Sequence, residues 1–177
     1  GASGFGREIE SWIDSSDYFT SNYSIKGYLD DNLNALDGFP SDYKVISKID
    51  DFNFKDDDRV LLCITEPKIK ENIVKRINGR AKFLSFIHES CLLGKNINIG
   101  EGSIIGPNCV LNSNVTIGRF VTIVLGTTIG HDTIVSEFSS LMVQATVSGK
   151  VEIGKCVFIG NNSNIYPGKK VGEMSKI

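Results

Sequence analysis

Every sixth residue from Leu93 to Ile177 is aliphatic. Positions 93, 99, 105, 111, 117, 123, 129, 135, 141, 147, 153, 159, 165, 171 and 177 read Leu, Ile, Ile, Leu, Ile, Ile, Ile, Val, Leu, Val, Ile, Ile, Ile, Val and Ile, in one register without a slip. Glycine often follows, at 94, 100, 106, 118, 130, 154, 160 and 172. Four places after each aliphatic stands a mostly small or β-branched residue, such as Ser103, Cys109, Val115, Thr127, Thr133, Ala145 and Ser163. This period of six predicts a parallel β-helix of hexapeptide repeats. Six residues make one short strand and one corner, and three such units close a triangular coil. The aliphatic residue and the small residue four places on both point inward. Glycine at the corner is expected to supply backbone angles that a side chain forbids. Ile87 and Cys91 extend the register backwards, so residues 87–176 make five coils. Each coil buries its faces only by stacking on its neighbours.

Residues 1–86 lack this register. Arg7 to Ser16 reads as a helix with Ile9, Trp12 and Ile13 on one face. Ser24 to Leu29 reads as a strand, Leu36 to Pro40 as a turn, Val45-Ile46 as a short strand and Ser47 to Phe52 as a helical turn. Val60 to Ile64 is a buried strand, followed by a helix to about Asn78 and a last strand at Ala81 to Phe86. Strands alternating with helices predict a small parallel α/β sheet. The division expected is 1–86 and 87–177.

Gly1, Gly4 and Gly6, in GASGFG, open the first helix. Such a loop lets backbone N–H groups approach a phosphate at a helix N-terminus, or it is a mere tight turn. Asp30 and Asp31 end the next strand, where a carboxylate commonly meets a ribose or base. The strand that should precede Gly1 is absent, so the α/β unit is expected to lack its first strand. The chain starts without Met and stops on an inward position, and both ends read as truncated.

A net charge of -2 gives no basic surplus for nucleic acid, and no apolar run reaches the length of a membrane span. Cys63, Cys91, Cys109 and Cys156 show no paired spacing, which favours a reduced, cytoplasmic protein. There are two histidines. His131, in Ile129-Gly130-His131-Asp132, lies two places past an inward position and so faces outward near a corner. It is either a general base whose tautomer a neighbouring carboxylate fixes, or a solvated surface residue. His88, where the two regions meet, reads as a hydrogen-bonding partner between them. Two histidines cannot furnish the three-histidine zinc site of some β-helix enzymes, so no metal is expected. Lys169-Lys170, after Pro167-Gly168, is a solvated corner or a contact for coenzyme phosphates.

GASGFGREIE, GYLDD, VLLCITEPKIK, IHES, IGHDTIV and VSGKVEIGKCVFIGNNSNIYPGKKVG occur in that order. Over its whole length the chain resembles the hexapeptide-repeat sugar O-/N-acyltransferases, of the sialic acid O-acetyltransferase and UDP-amino-sugar N-acetyltransferase type. The resemblance implies a Rossmann-like N-terminal unit that holds a nucleotide-sugar through Gly1, Ser3, Gly4, Gly6, Asp30, Asp31, Thr65 and Glu66. It implies a left-handed coil that forms a homotrimer, with acetyl-CoA in the groove between neighbouring coils and the active sites between subunits. His131 would be the general base, Asp132 its tuning acid, Gly149 a backbone donor to the oxyanion, and Ser140, Gly160 and Lys169 contacts of the coenzyme. Two positions depart from the amino-sugar pattern: Val124 stands where an Asn is common, and Ser140 where a second His is common. These changes leave the acceptor, amine or hydroxyl, open. The competing readings are a non-catalytic nucleotide-sugar-binding or scaffold protein, and an acetyltransferase acting on another small acceptor.

Overall fold

In the computed structural model, which describes residues 1–77 and 79–177, fifteen two-residue strands from Phe86–Ile87 to Lys170–Val171 form three parallel sheets of five. Each strand pairs with those 18 residues away, as in Thr122↔Ile104 and Thr122↔Ser140. Five stacked coils result, as the repeat requires. The first face carries the strands that begin at Phe86, Ile104, Thr122, Ser140 and Phe158. The second carries those at Leu92, Val110, Thr128, Thr146 and Asn164, and the third those at Asn98, Thr116, Ile134, Glu152 and Lys170.

The aliphatic residues from Ile105 to Ile165 fill the prism together with Cys109, Val115, Ala145 and their equivalents. Leu93 and Ile177, at the two ends of the stack, stay partly open at 40% and 49% exposure. Cys91 and Cys109 occupy inward slots, with their thiols directed at the carbonyls of Gly106 and Val124 at 3.1 and 3.2 Å. All four cysteines are free.

The corner glycines have a different cause from the one expected. None of those following an aliphatic has positive φ. The left-handed position comes two places later, at every sixth residue from 96 to 174, and glycine holds it only at Gly102, Gly126 and Gly168. Asn96, Asn108, Asn114, Asp132 and Asn162 take it as residues that tolerate this conformation. At Gly100 and Gly118 the constraint is closeness instead. A Cβ would lie 2.6 Å from the backbone N of Arg119 and Glu137 in the next coil.

Grouped by corner, the left-handed residues separate by chemistry. Between the third and first faces they are Gly102, Phe120, Phe138, Cys156 and Met174; between the second and third, Asn96, Asn114, Asp132, Lys150 and Gly168. The N-terminal segment packs on the apolar corner and the first face. Phe120 and Phe138 stack at 5.2 Å and join Ile49, Leu62, Ile73 and Ile77 in one buried cluster. Ile9, Ile13, Phe19 and Cys63 cover Phe86 and Ile104.

That segment runs α1 (Gly4–Asp14), α2 (Asp17–Asn22), β1 (Tyr28–Leu29), β2 (Val45–Ser47), β3 (Arg59–Val60), α3 (Pro67–Ile77) and β4 (Lys82–Phe83). α1 starts earlier than Arg7 and ends before Ser16. Ser16 instead caps α2, a helix the sequence reading did not separate; its hydroxyl accepts from Phe19 N and donates to Glu89. Ile49–Asp51 is a turn without helix. Asn78, the expected end of α3, lies outside the described residues. Phe86 opens the first coil rather than closing the last α/β strand. The expected sheet appears as two parallel ladders, β1–β2 and β3–β4. Between them lies a cavity of about 440 Å³ lined by Ser24 to Leu29 and Arg59 to Ile64. Leu61 to Ile64 close on themselves there, with Cys63 N on Leu61 O and Ile64 N on Leu62 O. This explains why the expected strand over 60–64 is so short, and the one expected over 24–29 is reduced to Tyr28–Leu29.

Gly118→Ala should cost about 1–3 kcal/mol by forcing the coils apart. Gly160→Ala, where the nearest atom is Ile177 O at 3.1 Å, should cost much less. Urea unfolding of both variants measures the difference.

Candidate active site

His131 and Asp132 stand at the corner between the second and third faces, with 59% and 43% of their side chains exposed. Strands Thr128–Ile129 and Ile134–Val135 bracket them, and the left-handed conformation at Asp132 turns the chain between the two faces. His131 Nδ1 lies 2.8 Å from Asp132 Oδ2. A carboxylate only accepts, so Nδ1 carries the proton and Nε2 presents a lone pair. The hydrogen bond from His131, and then that from Asn114, holds the Asp132 carboxyl below its ordinary range. Gly149, one coil on, meets the ring so closely that a Cβ would sit 2.7 Å from Nε2. The corner therefore pairs a basic nitrogen with open backbone beside it.

Of the other expected coenzyme residues, Lys169 belongs to this corner two coils up and is exposed. Gly160 follows Ile159 at the corner between the first and second faces. Ser140 is fully buried on the first face, under the N-terminal segment. Its hydroxyl donates to Thr65 O at 2.6 Å and accepts from Lys70 Nζ at 2.8 Å. Ser140 and Thr65 thus join the two regions, and in this chain Ser140 does not face His131's side of the prism. Val124 is buried too, at 2% exposure.

The glycine loop lies against Asp30. Ala2 N donates to Asp30 Oδ2 at 2.9 Å, and Asn32 N to Oδ1 at 2.9 Å. At Gly6 a Cβ would run into Gly1 O and press on the Tyr28 ring, so the tight loop demands glycine there. Ser3 precedes α1 in extended conformation, but its hydroxyl makes no cap bond. The first turn of α1 holds no acidic residue, which leaves its N–H groups and positive dipole end free for an anion. Asp31 is separated from this group: Arg76 binds it at 2.7 and 3.2 Å and also bridges to Asp50 at 2.8 Å. Arg76 holds the Asp31 carboxyl below its usual range, and the ion pair ties α3 to the end of β1. Glu66 is exposed just before α3. His88 bonds Ser90 within its own turn at 2.8 Å, and the link between the regions expected there is made by neighbouring Glu89 to Ser16 and Tyr18 N.

The sequence reading missed Lys70. It is 1% exposed and donates to Thr122 Oγ1, Ser139 O and Ser140 Oγ at 2.8–3.0 Å. Its position on the inner face of α3, beside Ile73 and Ile77, was the available signal. Nearby Glu71 binds Lys155 at 3.1 Å and Lys75 at 3.2 Å.

Comparison with known proteins agrees with this architecture. Residues 1–77 match the PglD N-terminal domain and residues 85–119 the bacterial transferase hexapeptide of six repeats. The acetyltransferase domain of PglB from Neisseria gonorrhoeae, in complex with acetyl coenzyme A, superposes with a TM-score of 0.84 at 21% identity. That match covers 99% of this chain and 84% of that one. The chain has the fold of the hexapeptide-repeat sugar acyltransferases. WeeI from Acinetobacter baumannii gives 0.71 at 23% identity, covering 98% and 86% of the two chains. A mutant GDP-perosamine N-acetyl transferase from Caulobacter crescentus, in complex with CoA and GDP-perosamine, gives 0.63 at 15% identity, covering 99% and 90%. Each of the three superpositions takes in both the N-terminal unit and the parallel β-helix of this chain.

Burial pushes the Lys70 ammonium down to about 7, whereas the unfolded chain keeps its proton to about 10.4. Between those values the unfolded state binds more protons, so stability rises with pH there and is lost as pH falls towards 7. Chemical denaturation of wild type and Lys70→Met at successive pH values should show their difference changing by up to about 1 kcal/mol per unit in that window. Below pH 7 it should be flat.

Proposed function

We propose that the protein transfers an acetyl group from acetyl-CoA to an amine or hydroxyl of a nucleotide-linked sugar, with His131 as general base. The observation that carries this reading is the His131–Asp132 pair. Its Nδ1 is held by a carboxylate while Nε2 stands beside Gly149 on a rigid corner. Two structures of this fold support the substrates: the PglB domain in complex with acetyl coenzyme A, and the perosamine enzyme with CoA and GDP-perosamine.

Acetyl-CoA supplies an activated acyl carbon. Nε2 accepts the proton of the sugar amine or hydroxyl as that group attacks the thioester carbonyl, and Asp132 stabilises the imidazolium that forms. The backbone N–H of Gly149 is the expected donor to the oxyanion. As the C–S bond breaks, the imidazolium returns its proton to the leaving thiolate. Ordering both substrates at one corner accounts for much of the acceleration. The loop around Gly1, Ser3, Gly4 and Gly6 holds the nucleotide phosphates at the start of α1, with Asp30 bracing it.

The glycine loop belongs to a segment packed on the first face, while His131 occupies the corner opposite that face. This favours an active site shared between copies, with the loop of one subunit serving the histidine of another, as in a trimer.

His131→Ala should fold normally, since the side chain faces outward, and lose about 10²–10⁴-fold in turnover. Thiol release measured with acetyl-CoA and a panel of UDP-, GDP-, CMP- and dTDP-linked sugars checks this. A mutant near the wild-type rate overturns the assignment. Silence across the panel with binding intact by calorimetry would instead favour a nucleotide-sugar-binding protein. Refolding His131→Ala together with Gly6→Ala subunits should restore activity that neither variant has alone. No restoration would place both halves of the site in one chain.

A further inference from the structure

The His131–Asp132 pair is the end of a longer hydrogen-bonded column. Asn96, Asn114 and Asp132 repeat at the same corner in three successive coils, with φ of 57°, 62° and 58°. Asn96 Nδ2 donates to Asn114 Oδ1 at 3.0 Å. Asn114 Nδ2 donates to Asp132 Oδ1 at 2.8 Å, and Oδ2 accepts from His131 Nδ1 at 2.8 Å. We propose that Asn114 is a positioning residue: its amide locks the rotation of Asp132 and so fixes the tautomer and orientation of His131. This rests on the reading of His131 as the base.

The backbone alone does not account for asparagine here. Gly102, Gly126 and Gly168 meet the same left-handed requirement at equivalent positions. What glycine lacks is a side chain that can accept from the coil below and donate to the carboxylate above. A carboxylate exposed to water at 43% can turn about its last torsion. With one oxygen held from below, the other is presented to Nδ1. An amide does this without adding charge, so the full negative charge of Asp132 remains to stabilise a protonated ring. The charged groups around the pair are Asp132 itself and Lys150 in the following coil. The Lys150 N–H bonds His131 O at 2.8 Å, and its ammonium acts on Asp132. Asn96 orients the Asn114 amide in turn, because its donation to Oδ1 points Nδ2 towards Asp132.

The test substitutes Asn114→Gly, which keeps the backbone conformation and deletes the amide, and Asn114→Asp, which replaces the donor with a repelling carboxylate. Both are made in the full chain carrying His88→Gln, so that the imidazole ¹⁵N spectrum reports His131 alone. The parent should show one neutral tautomer, protonated at Nδ1. Asn114→Gly should show a mixture, with kcat lowered about three- to tenfold and KM for both substrates unchanged, in proportion to one lost hydrogen bond. Asn114→Asp should show a larger loss of both. Asn96→Gly, one coil further away, should shift the tautomer in the same direction by less, and it decides the matter if the substitutions at 114 do not fold. A single tautomer with unchanged kcat in a folded Asn114→Gly protein overturns the proposal. If His131→Ala retains its rate, the base assignment fails, while the tautomer spectra still score the column.

Discussion

The 18-residue translation is the constraint on which everything else depends. A coil displaced by one residue would turn Ile105, Ile123, Leu141 and Ile159 out of the core and bring Gly106, Val124, Met142 and Gly160 inward. Register is therefore enforced in every coil by several apolar side chains at once, and each coil stabilises only through its neighbours. The corner glycines add a steric condition, because at Gly100 and Gly118 the next coil's backbone leaves no room for a methyl. Such a scaffold holds residues 18 apart at nearly one strand spacing, about 4.8 Å. Side chains at the corners can then bond along the axis as reliably as backbone does along the faces.

That translation also divides labour among the corners. The left-handed position recurs at all three, yet one carries Phe120, Phe138 and Cys156, and another Asn96, Asn114 and Asp132. Aromatic residues in this conformation are unfavourable in isolation. Here burial under Ile49, Leu62, Ile73 and Ile77 offsets the strain, so the apolar corner becomes the seat of the N-terminal segment. The polar corner stays open to water and keeps the histidine. Docking on the one leaves the other free, which separates the glycine loop from His131 within a single chain.

The coil, its inward residues and the outward placement of His131 were legible because a local period encodes them. The glycine loop was legible for the same reason: Gly1, Gly4 and Gly6 sit within one turn of the helix they open. What escaped depended on partners remote in sequence. The Arg76 guanidinium that occupies Asp31 lies 45 residues away, and the hydroxyl of Ser140 meets Thr65 across 75. Nothing near Asp31 distinguishes a carboxylate awaiting a ribose from one held by an arginine. The role given to the corner glycines failed for a related reason. Their spacing was plain, but whether backbone angle or contact demands glycine depends on the coil above.

Lys70 and Asn114 show how the same scaffold treats polar groups oppositely. Lys70 is sealed between the regions with three acceptors around it, and removal from water makes its charged form costly. Asn114 lies in water, where a single amide bond contributes little to stability. Its worth is directional. An exposed hydrogen bond that would be negligible in a folding balance can still decide which nitrogen of His131 holds the proton, because the two neutral tautomers of a free imidazole differ by little. A β-helix suits that task because the amide's own position is fixed by backbone bonds, Asn114 N to Lys95 O and Asp132 N to Ser113 O. The column therefore turns the regularity that builds the fold into a fixed orientation of the His131–Asp132 pair.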